Sequence, residues 1–205
     1  MNSLLSVLWW LLDCQCPTCL RPHFKLTLCE ACSTFPIAPP LHFSNEEFSL
    51  YEFNETARKL LHDIKFEGKA CRLVLLQPLL PQKCPVLNPQ LVLIPVPLST
   101  ERFWKRGFNQ SEWLAHALGR IWQLKVDTES FMKIQETPAQ STLNRQERSK
   151  NLRNVFQWQA SKKPPDAVMV VDDVRTTGAT LVACKEVLLH AGVGQVFTWT
   201  LFWKS

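Results

Sequence analysis

Two adjacent carboxylates stand in the segment of the chain whose residue types are best suited to chemistry, residues 170–180. The segment reads Val-Val-Asp-Asp-Val-Arg-Thr-Thr-Gly-Ala-Thr, so Asp172 and Asp173 follow an apolar run. A hydroxyl-rich turn containing Gly178 comes next, and glycine lets the backbone pass close to an anion. Backbone N–H groups at the start of a following helix attract phosphate. The pattern therefore predicts a phosphate site with two carboxylates beside it.

The carboxylates restrict the kind of phosphate ester that fits. Bare carboxylates repel phosphate unless they hold sugar hydroxyls, a magnesium ion, or a sugar that becomes positively charged during a reaction. A ribose 5-phosphate unit meets all three conditions. The competing interpretation, acidic residues that merely cap a helix, does not account for the whole strand–turn–helix pattern. The chain contains neither the Gly-Lys-[Ser/Thr] of a Walker loop nor the G-x-G-x-x-G of a dinucleotide site.

Cysteines near the start of the sequence form a second group with metal-ligand spacing. Two C-x-x-C pairs are separated by nine residues and consist of Cys16, Cys19, Cys29 and Cys32. Four thiolates are the usual ligands of a closed structural zinc site, so the pairs predict a zinc knuckle that stabilises rather than catalyses. Cys14 and His23 are alternative ligands. Free cysteines and a redox dithiol are the competing interpretations, and no buried strand leads into either pair as a redox motif requires.

Composition narrows the class of protein. Five of the eight cysteines crowd into residues 14–32, which favours a metal site in a reducing compartment over a secreted disulfide scaffold. A length of 205 residues is enough for one globular domain and a small appendage. The composition, 46% hydrophobic and 20% charged, is that of a globular protein. The formal net charge of +5 permits an anionic ligand or nucleic acid without establishing either.

The first apolar stretch, residues 4–12, is too short to span a bilayer, which takes about 20 residues. No Lys or Arg precedes Arg21, so a signal peptide is not expected. We expect a short helix packed on the body of the protein, no transmembrane span and a cytoplasmic location. A helix that faces the inner side of the membrane is the less favoured interpretation, because the stretch has no basic face.

The elements that must position these residues alternate between strand and helix. An unbroken apolar run predicts a buried strand at 91–96, a second buried strand is predicted at 167–171, and a final strand at 195–201. Helical spacing of apolar residues predicts helices at 55–66, 109–122 and 180–191. This alternation predicts an α/β fold with a mostly parallel sheet flanked by helices. Residues 36–50, which begin with three prolines, are interpreted as a linker, and a second apolar stretch occupies 73–80.

We place the boundary between two units at residue 40. Residues 1–40 would form the N-terminal helix and zinc knuckle, and residues 41–205 the α/β domain. Within that domain, residues 135–154 are polar and basic, and such a long connection is a lid, a binding loop or a disordered segment.

Taken together, these motifs resemble the type I phosphoribosyltransferases and, within them, closely resemble the ComF family. That family is associated with natural competence and with DNA uptake or utilisation. The resemblance covers nearly the whole chain and depends on the following segments: the four cysteines, residues 64–68, 94–98, 106–110, 137–140, Arg145, Arg148, 151–153 and 170–180. It implies a type I phosphoribosyltransferase-like fold that binds phosphoribosyl pyrophosphate (PRPP) with magnesium.

The resemblance also implies roles for individual residues. Asp172 and Asp173 would hold the ribose hydroxyls of PRPP, directly or through magnesium. The 5-phosphate would bind the turn made of Thr176, Thr177, Gly178, Ala179 and Thr180. The turn 98–102, with Ser99 and Thr100, resembles the pyrophosphate loop, and residues 137–153 resemble a hood that closes over the site. The chain departs from the family at Phe66-Glu67, usually Tyr and a basic residue, and at Arg175, an added cation at the pocket rim.

Two functions from different classes fit these implied roles. The first is a magnesium-dependent phosphoribosyltransferase that releases pyrophosphate from PRPP, although no residue identifies the acceptor. The cations that would neutralise the departing pyrophosphate are Lys105, Arg106, Arg145, Arg148 and Arg153.

The second is a single-stranded-DNA-binding module that keeps the PRPP site as a sensor and contacts other DNA-uptake proteins. The same cations would then bind DNA phosphates, and Phe103 and Trp104 would stack on bases. Alternatively, the two aromatic residues pack in the core.

Overall fold

The computed structural model describes residues 41–66, 70–135 and 155–204. The predicted N-terminal helix and the predicted zinc ligands lie outside these ranges, as do Cys14 and His23. So do the hood arginines Arg145, Arg148 and Arg153. The predictions made for them remain predictions.

The centre of the fold is a six-stranded sheet. Its strands are β1 (Leu41–Ser44), β2 (Glu47–Glu52), β3 (Val92–Pro95), β4 (Lys125–Val126), β7 (Ala167–Arg175) and β8 (Gln195–Trp203). Their order across the sheet is β1-β2-β8-β7-β3-β4. Every neighbouring pair is parallel except β1 and β2, which are antiparallel. The predicted α/β class with a mostly parallel sheet is therefore confirmed.

Helices lie on both faces of this sheet. They are α1 (Glu55–Phe66), α2 (Thr100–Arg106), α3 (Gln110–Trp122) and α4 (Ala179–His190), and a 3₁₀ helix spans Ala70–Leu79. Successive residues of β7 alternate between two cores, as strand geometry requires. Met169 and Val171 join the core formed with α1 and α3, whereas Val168 and Val170 join the core formed with α4. A strand buried on both faces explains the unbroken apolar sequence before Asp172.

Residues 41–50 are not a linker. They form most of an antiparallel hairpin, β1 and β2, whose second strand pairs with β8. The three prolines that suggested a linker end at Pro40, immediately before the first strand. The turn of the hairpin is fixed to the rest of the fold, because Glu46 forms an ion pair with Lys185 of α4. Glu46 also accepts a backbone hydrogen bond from Thr198 at 2.9 Å.

A second, two-stranded antiparallel sheet flanks the segment predicted to be a hood. It consists of β5 (Phe131–Lys133) and β6 (Phe156–Trp158). The rings of Phe131 and Phe156 stack with centroids 5.5 Å apart, and both side chains are buried in the core beneath α4. In the part of the chain that the structure describes, no helix has the length and apolar character needed to cross a bilayer.

Candidate functional site

The two carboxylates lie near the carboxyl end of β7, the end at which ligands bind in open α/β sheets. The strand is longer than predicted, because it continues past both carboxylates to Arg175. Asp172 is paired in register with Thr200 of the neighbouring strand β8. Both carboxylates therefore project from regular backbone rather than from a flexible turn.

Asp173 is almost completely buried and is held by side chains from two helices. Its carboxylate is 2% exposed, and Oδ2 lies 2.5 Å from the ammonium nitrogen of Lys65 at the end of α1. Gln110, the first residue of α3, also hydrogen-bonds the carboxylate. Burial alone would raise the pKa of Asp173. The charge and hydrogen bond of Lys65, with the hydrogen bonds to Asp172 and Gln110, together hold the pKa below its usual value.

Asp172 has different surroundings and keeps part of its surface exposed. Its Oδ1 accepts hydrogen bonds from the Ser111 hydroxyl at 2.7 Å and from the Asp173 backbone N–H at 2.9 Å. Burial, together with repulsion from the Asp173 carboxylate, raises the pKa of Asp172 to about 7. Two neighbouring carboxyl groups whose pKa values move in opposite directions are typical of functional sites.

The start of α3 links the acidic pair to the predicted pyrophosphate loop. Asn109 caps the helix, and its side chain accepts a hydrogen bond from the Ser111 backbone N–H at 3.0 Å. The same side chain donates to the carbonyl of Val96 at 3.0 Å, immediately after β3. Because Ser111 in turn holds Asp172, one short segment fixes the end of β3 relative to the acidic pair.

The predicted phosphate turn follows β7 and leads into α4. Thr176 and Thr177 are exposed, and the Thr177 hydroxyl accepts a hydrogen bond from the Ala179 N–H at 3.4 Å. Gly178 has φ of 75°, in the left-handed region that favours glycine. A Cβ at Gly178 would lie 3.1 Å from Nε of Arg175. The Arg175 side chain thus packs against Gly178 and occupies the space that a side chain at this position would need.

Arg175 itself is engaged with a residue of the sheet. Its Nη1 donates to Oε2 of Glu47 in β2 at 2.6 Å, and both side chains are mostly buried. The cation predicted to lie at the pocket rim is therefore already paired with a carboxylate. Thr180 is partly buried in the first turn of α4.

The predicted pyrophosphate loop lies at the carboxyl end of β3, but it is shorter than the predicted turn 98–102, because Ser99 caps α2 and the helix begins at Thr100. The hydroxyl of Ser99 is buried, and among the described residues it has no hydrogen-bond partner. Thr100 lines a cleft of about 300 Å³ together with Leu98, Phe103 and Met132. A buried hydroxyl without a partner is costly, and such groups often mark places where a ligand or water completes the hydrogen bonding.

Helix α2 presents its two aromatic side chains and Lys105 to solvent. Trp104 is 80% exposed and Phe103 is 44% exposed, so neither packs in the core. Lys105 is exposed as well. Arg106 turns toward the acidic pair: its guanidinium lies 5.1 Å from the ring centroid of Phe66 and donates to Gln110 at 3.4 Å.

Three residues of the site were not singled out from the sequence as ligands: Lys65, Gln110 and Ser111. Lys65 and Gln110 lie within the segments 64–68 and 106–110 that carry the family resemblance, but no rule of spacing places either beside Asp173. Their contacts depend on how α1 and α3 pack against β7, which periodicity alone does not determine. The sequence offers one general indication of a partner such as Lys65: two adjacent carboxylates at the end of a buried strand require a cation within reach.

The fold and the site together define the class of this protein. It is an α/β protein with loops at the carboxyl end of a mostly parallel sheet. These loops surround an acidic pair, one carboxylate buried and the other partly exposed, that precedes a glycine turn. No family model matches the chain. Comparison with curated proteins does find relatives that span most of it.

DNA utilization protein YhgH of Escherichia coli (strain K12) is 31% identical over 194 residues, covering 91% of this chain and 82% of that protein. Competence protein ComFC of Streptococcus pneumoniae is 26% identical over 187 residues, covering 91% and 80%. Competence protein F of Haemophilus influenzae is 36% identical over 111 residues, covering 53% and 48%. The chain belongs to the ComF family.

Proposed function

We propose that this protein binds PRPP with magnesium and transfers its ribose 5-phosphate to an acceptor. The observation that carries the proposal is the partly exposed Asp172 beside the buried Asp173, directly before the glycine turn at the start of α4. A carboxylate repels a phosphate bound beside it unless the ligand keeps the two negative charges apart. A sugar with free hydroxyls on one side and a phosphate on the other provides that separation.

The turn after β7 suits the 5-phosphate. Thr176 and Thr177 offer exposed hydroxyls, and the first backbone N–H groups of the 12-residue helix α4 point toward the turn. Gly178 supplies the left-handed conformation that turns the backbone from β7 into α4. Arg175, paired with Glu47, would shape the turn and leave direct phosphate contacts to the backbone and the threonines.

The pyrophosphate end of PRPP would lie toward β3. Among the described residues, the buried Ser99 hydroxyl has no partner, and Thr100 lines the cleft there. Lys105, Arg106 and the arginines of the predicted hood would supply positive charge. Asp172 fits a magnesium site, because it is a partly exposed carboxylate and magnesium is usually held by one or two carboxylates and substrate phosphates. When bound, magnesium supplies charge neutralisation for the pyrophosphate.

The proposed reaction is a substitution at C1 of the ribose. The acceptor forms a new bond to C1 while the bond from C1 to the pyrophosphate oxygen breaks, and the electron pair leaves with the pyrophosphate. Positive charge develops on the sugar as that bond lengthens. The negative charge of Asp172 and Asp173 would stabilise the developing charge, and hood closure would exclude water.

We also propose that this chemistry serves DNA uptake or the use of imported DNA. The relatives named DNA utilization protein and competence protein support that role. An acceptor derived from incoming DNA or from its breakdown products would connect the PRPP site with that role.

A binding experiment with matched variants tests the proposal. Titration calorimetry with PRPP and magnesium should show binding that Asp172→Asn weakens by more than about tenfold, or 1.4 kcal/mol. Asp166→Asn is the control, because Asp166 is exposed and precedes the same strand at its opposite end. Pyrophosphate release with candidate acceptors then identifies turnover. No magnesium-dependent PRPP binding by the unaltered protein would contradict the proposal.

A second function, binding of single-stranded DNA, is favoured by the exposed aromatic residues of α2. Trp104 and Phe103 stand next to the cation Lys105, the combination that stacks on bases and contacts phosphates. We expect Trp104→Ala to weaken oligonucleotide binding by roughly tenfold in fluorescence anisotropy, with little dependence on base sequence. Leu87→Ala is the control, since Leu87 is fully exposed but has no cation next to it in the sequence. Equal losses in the two variants would refute a stacking role.

The hood arginines distinguish the two functions. A variant with Arg145, Arg148 and Arg153 changed to Ala should lose salt-dependent DNA binding if these residues contact DNA phosphates. Loss of PRPP turnover with undiminished DNA binding would instead assign the three arginines to pyrophosphate.

A further inference from the structure

The two carboxylates of the site differ in what they can still contact. Asp173 is 2% exposed and already engaged by Lys65 and Gln110. Asp172 is partly exposed and is held from one side, through Oδ1, by Ser111 and by the Asp173 backbone. A ligand entering at the carboxyl end of β7 would therefore meet Asp172 before it could displace the partners of Asp173.

Lys65 compensates the charge of both carboxylates. Its side chain is 17% exposed, so it has lost most of its hydration, and the contact of 2.5 Å with Asp173 replaces that hydration. The same ammonium also stabilises the ionised form of Asp172. Without Lys65, two neighbouring negative charges would face each other at the end of β7 with no buried cation to offset them.

The contacts of Lys65 also determine where the acidic pair can lie. Lys65 belongs to the last turn of α1, and Gln110 begins α3, so Asp173 is tied to both helices that cover this face of the sheet. Gln110 further accepts a hydrogen bond from Arg106, whose guanidinium packs on Phe66, the residue after Lys65. Asp173 is thus the centre of a closed set of contacts that fixes β7, α1 and α3 relative to one another.

We infer that Lys65 is a positioning residue for the acidic pair, that Asp173 is its buried anchor, and that Asp172 is the carboxylate that contacts the ligand. This inference depends on the proposed PRPP site and divides its acidic pair into two roles. Asp173 acts by fixing the position of Asp172 and does not contact the sugar.

Paired removal of the two charges tests the division. Lys65→Met and Asp173→Asn should each weaken PRPP binding by at least about tenfold and lower the melting temperature, because each leaves one buried charge uncompensated. The double variant should bind PRPP at least about fivefold more tightly than Asp173→Asn alone, and should melt at a higher temperature than either single variant. Lys65→Arg, which keeps the charge, should bind more tightly than Lys65→Met.

A folded double variant that binds PRPP no better than Asp173→Asn would overturn the inference, because Asp173 would then contact the ligand itself. Asp172→Asn should weaken PRPP binding without lowering the melting temperature. A fall in melting temperature as large as that of Asp173→Asn would also contradict the assignment.

If the proposed PRPP site does not exist, the same experiment gives a result that differs from failure of the inference about Lys65 and Asp173. The unaltered protein would then bind no PRPP, whereas the melting temperatures of the single and double variants would still report whether Lys65 and Asp173 act as a pair. Additive losses of melting temperature would remove the anchor role in that case.

Discussion

Asp172 and Asp173 are adjacent in the sequence, yet burial and charge shift their pKa values in opposite directions. Lys65 lies against Asp173, whereas Asp172 receives one hydroxyl and one backbone N–H in addition to the repulsion of its neighbour. Sequence reasoning could predict that the two carboxylates act together, because they stand between a strand and a phosphate turn. It could not predict their inequality, since the cation that distinguishes them comes from a helix about a hundred residues earlier in the chain.

The raised pKa of Asp172 leads to a prediction about stability and pH. The folded chain binds a proton at Asp172 up to a pH of about 7, whereas an unfolded chain releases it near its ordinary pKa of 3.8. The folded state therefore holds more protons between these values, and the free energy of unfolding should fall as pH rises through this range. Asp173 has the opposite sign: with its pKa below 3.8, its stabilisation is present above that pH and is lost in stronger acid.

Asp172→Asn should abolish the decline. An asparagine oxygen can still accept from Ser111 and from the Asp173 N–H, but it carries no charge to desolvate. We expect the variant to gain about 1–3 kcal/mol in free energy of unfolding at pH 8 and little at pH 4.5, measured by urea denaturation. Asp166→Asn is the control for removing an exposed carboxylate. A variant less stable than the unaltered protein at pH 8 would disprove the raised pKa.

At the scale of the elements, the turn between β7 and α4 depends on one glycine conformation and one ion pair. Gly178 and Gly107 have nearly equal φ values, 75° and 77°, but a Cβ at Gly107 would meet nothing within 4 Å. Gly107→Ala should therefore lose only the cost of a left-handed alanine, about 1–2 kcal/mol. Gly178→Ala should lose more and should also weaken phosphate binding, since Arg175 is held by Glu47 and cannot readily move aside.

Thermal unfolding of the two alanine variants measures the difference. The steric part of the Gly178→Ala loss should shrink when Glu47→Ala releases Arg175. Equal losses at Gly107 and Gly178 would show that the support from Arg175 is unimportant.

The elements also show where sequence patterns are informative. The sequence predicts three of the strands and three of the helices: β3, β7, β8, α1, α3 and α4. Each packs on one or two faces and therefore carries a continuous or periodic apolar pattern. The hairpin β1–β2 does not follow from the sequence, because the prolines before Leu41 favour a linker there. Helix α2 was missed because none of its residues is buried, which leaves no apolar period to detect. The part of the site built on α1 and α3 could not be predicted, because it depends on packing between elements.

At the scale of the whole molecule, the α/β domain and the predicted zinc knuckle should respond separately to loss of metal. We expect about one zinc per chain by elemental analysis. Changing Cys16 or Cys29 to Ser should abolish zinc binding, while the melting transition of the α/β domain shifts little, because metal binding stabilises the part that provides the ligands. Cys84→Ser is the control, since Cys84 is a half-buried free cysteine of the α/β domain. A protein without stoichiometric zinc would refute the knuckle.

The place of β8 in the sheet affects how the chain can assemble while it is being synthesised. Both β2 and β7 leave the ribosome before β8, yet in the sheet β8 lies between them. Ser49 and its partner Thr200 are 151 residues apart, which corresponds to roughly 8–30 s of translation. During that interval the β1–β2 hairpin has no third strand, and an isolated hairpin is marginally stable at best. A stop codon just before β8 would therefore not simply shorten the sheet by one strand. It would leave β1-β2 and β7-β3-β4 with no strand hydrogen-bonded between them.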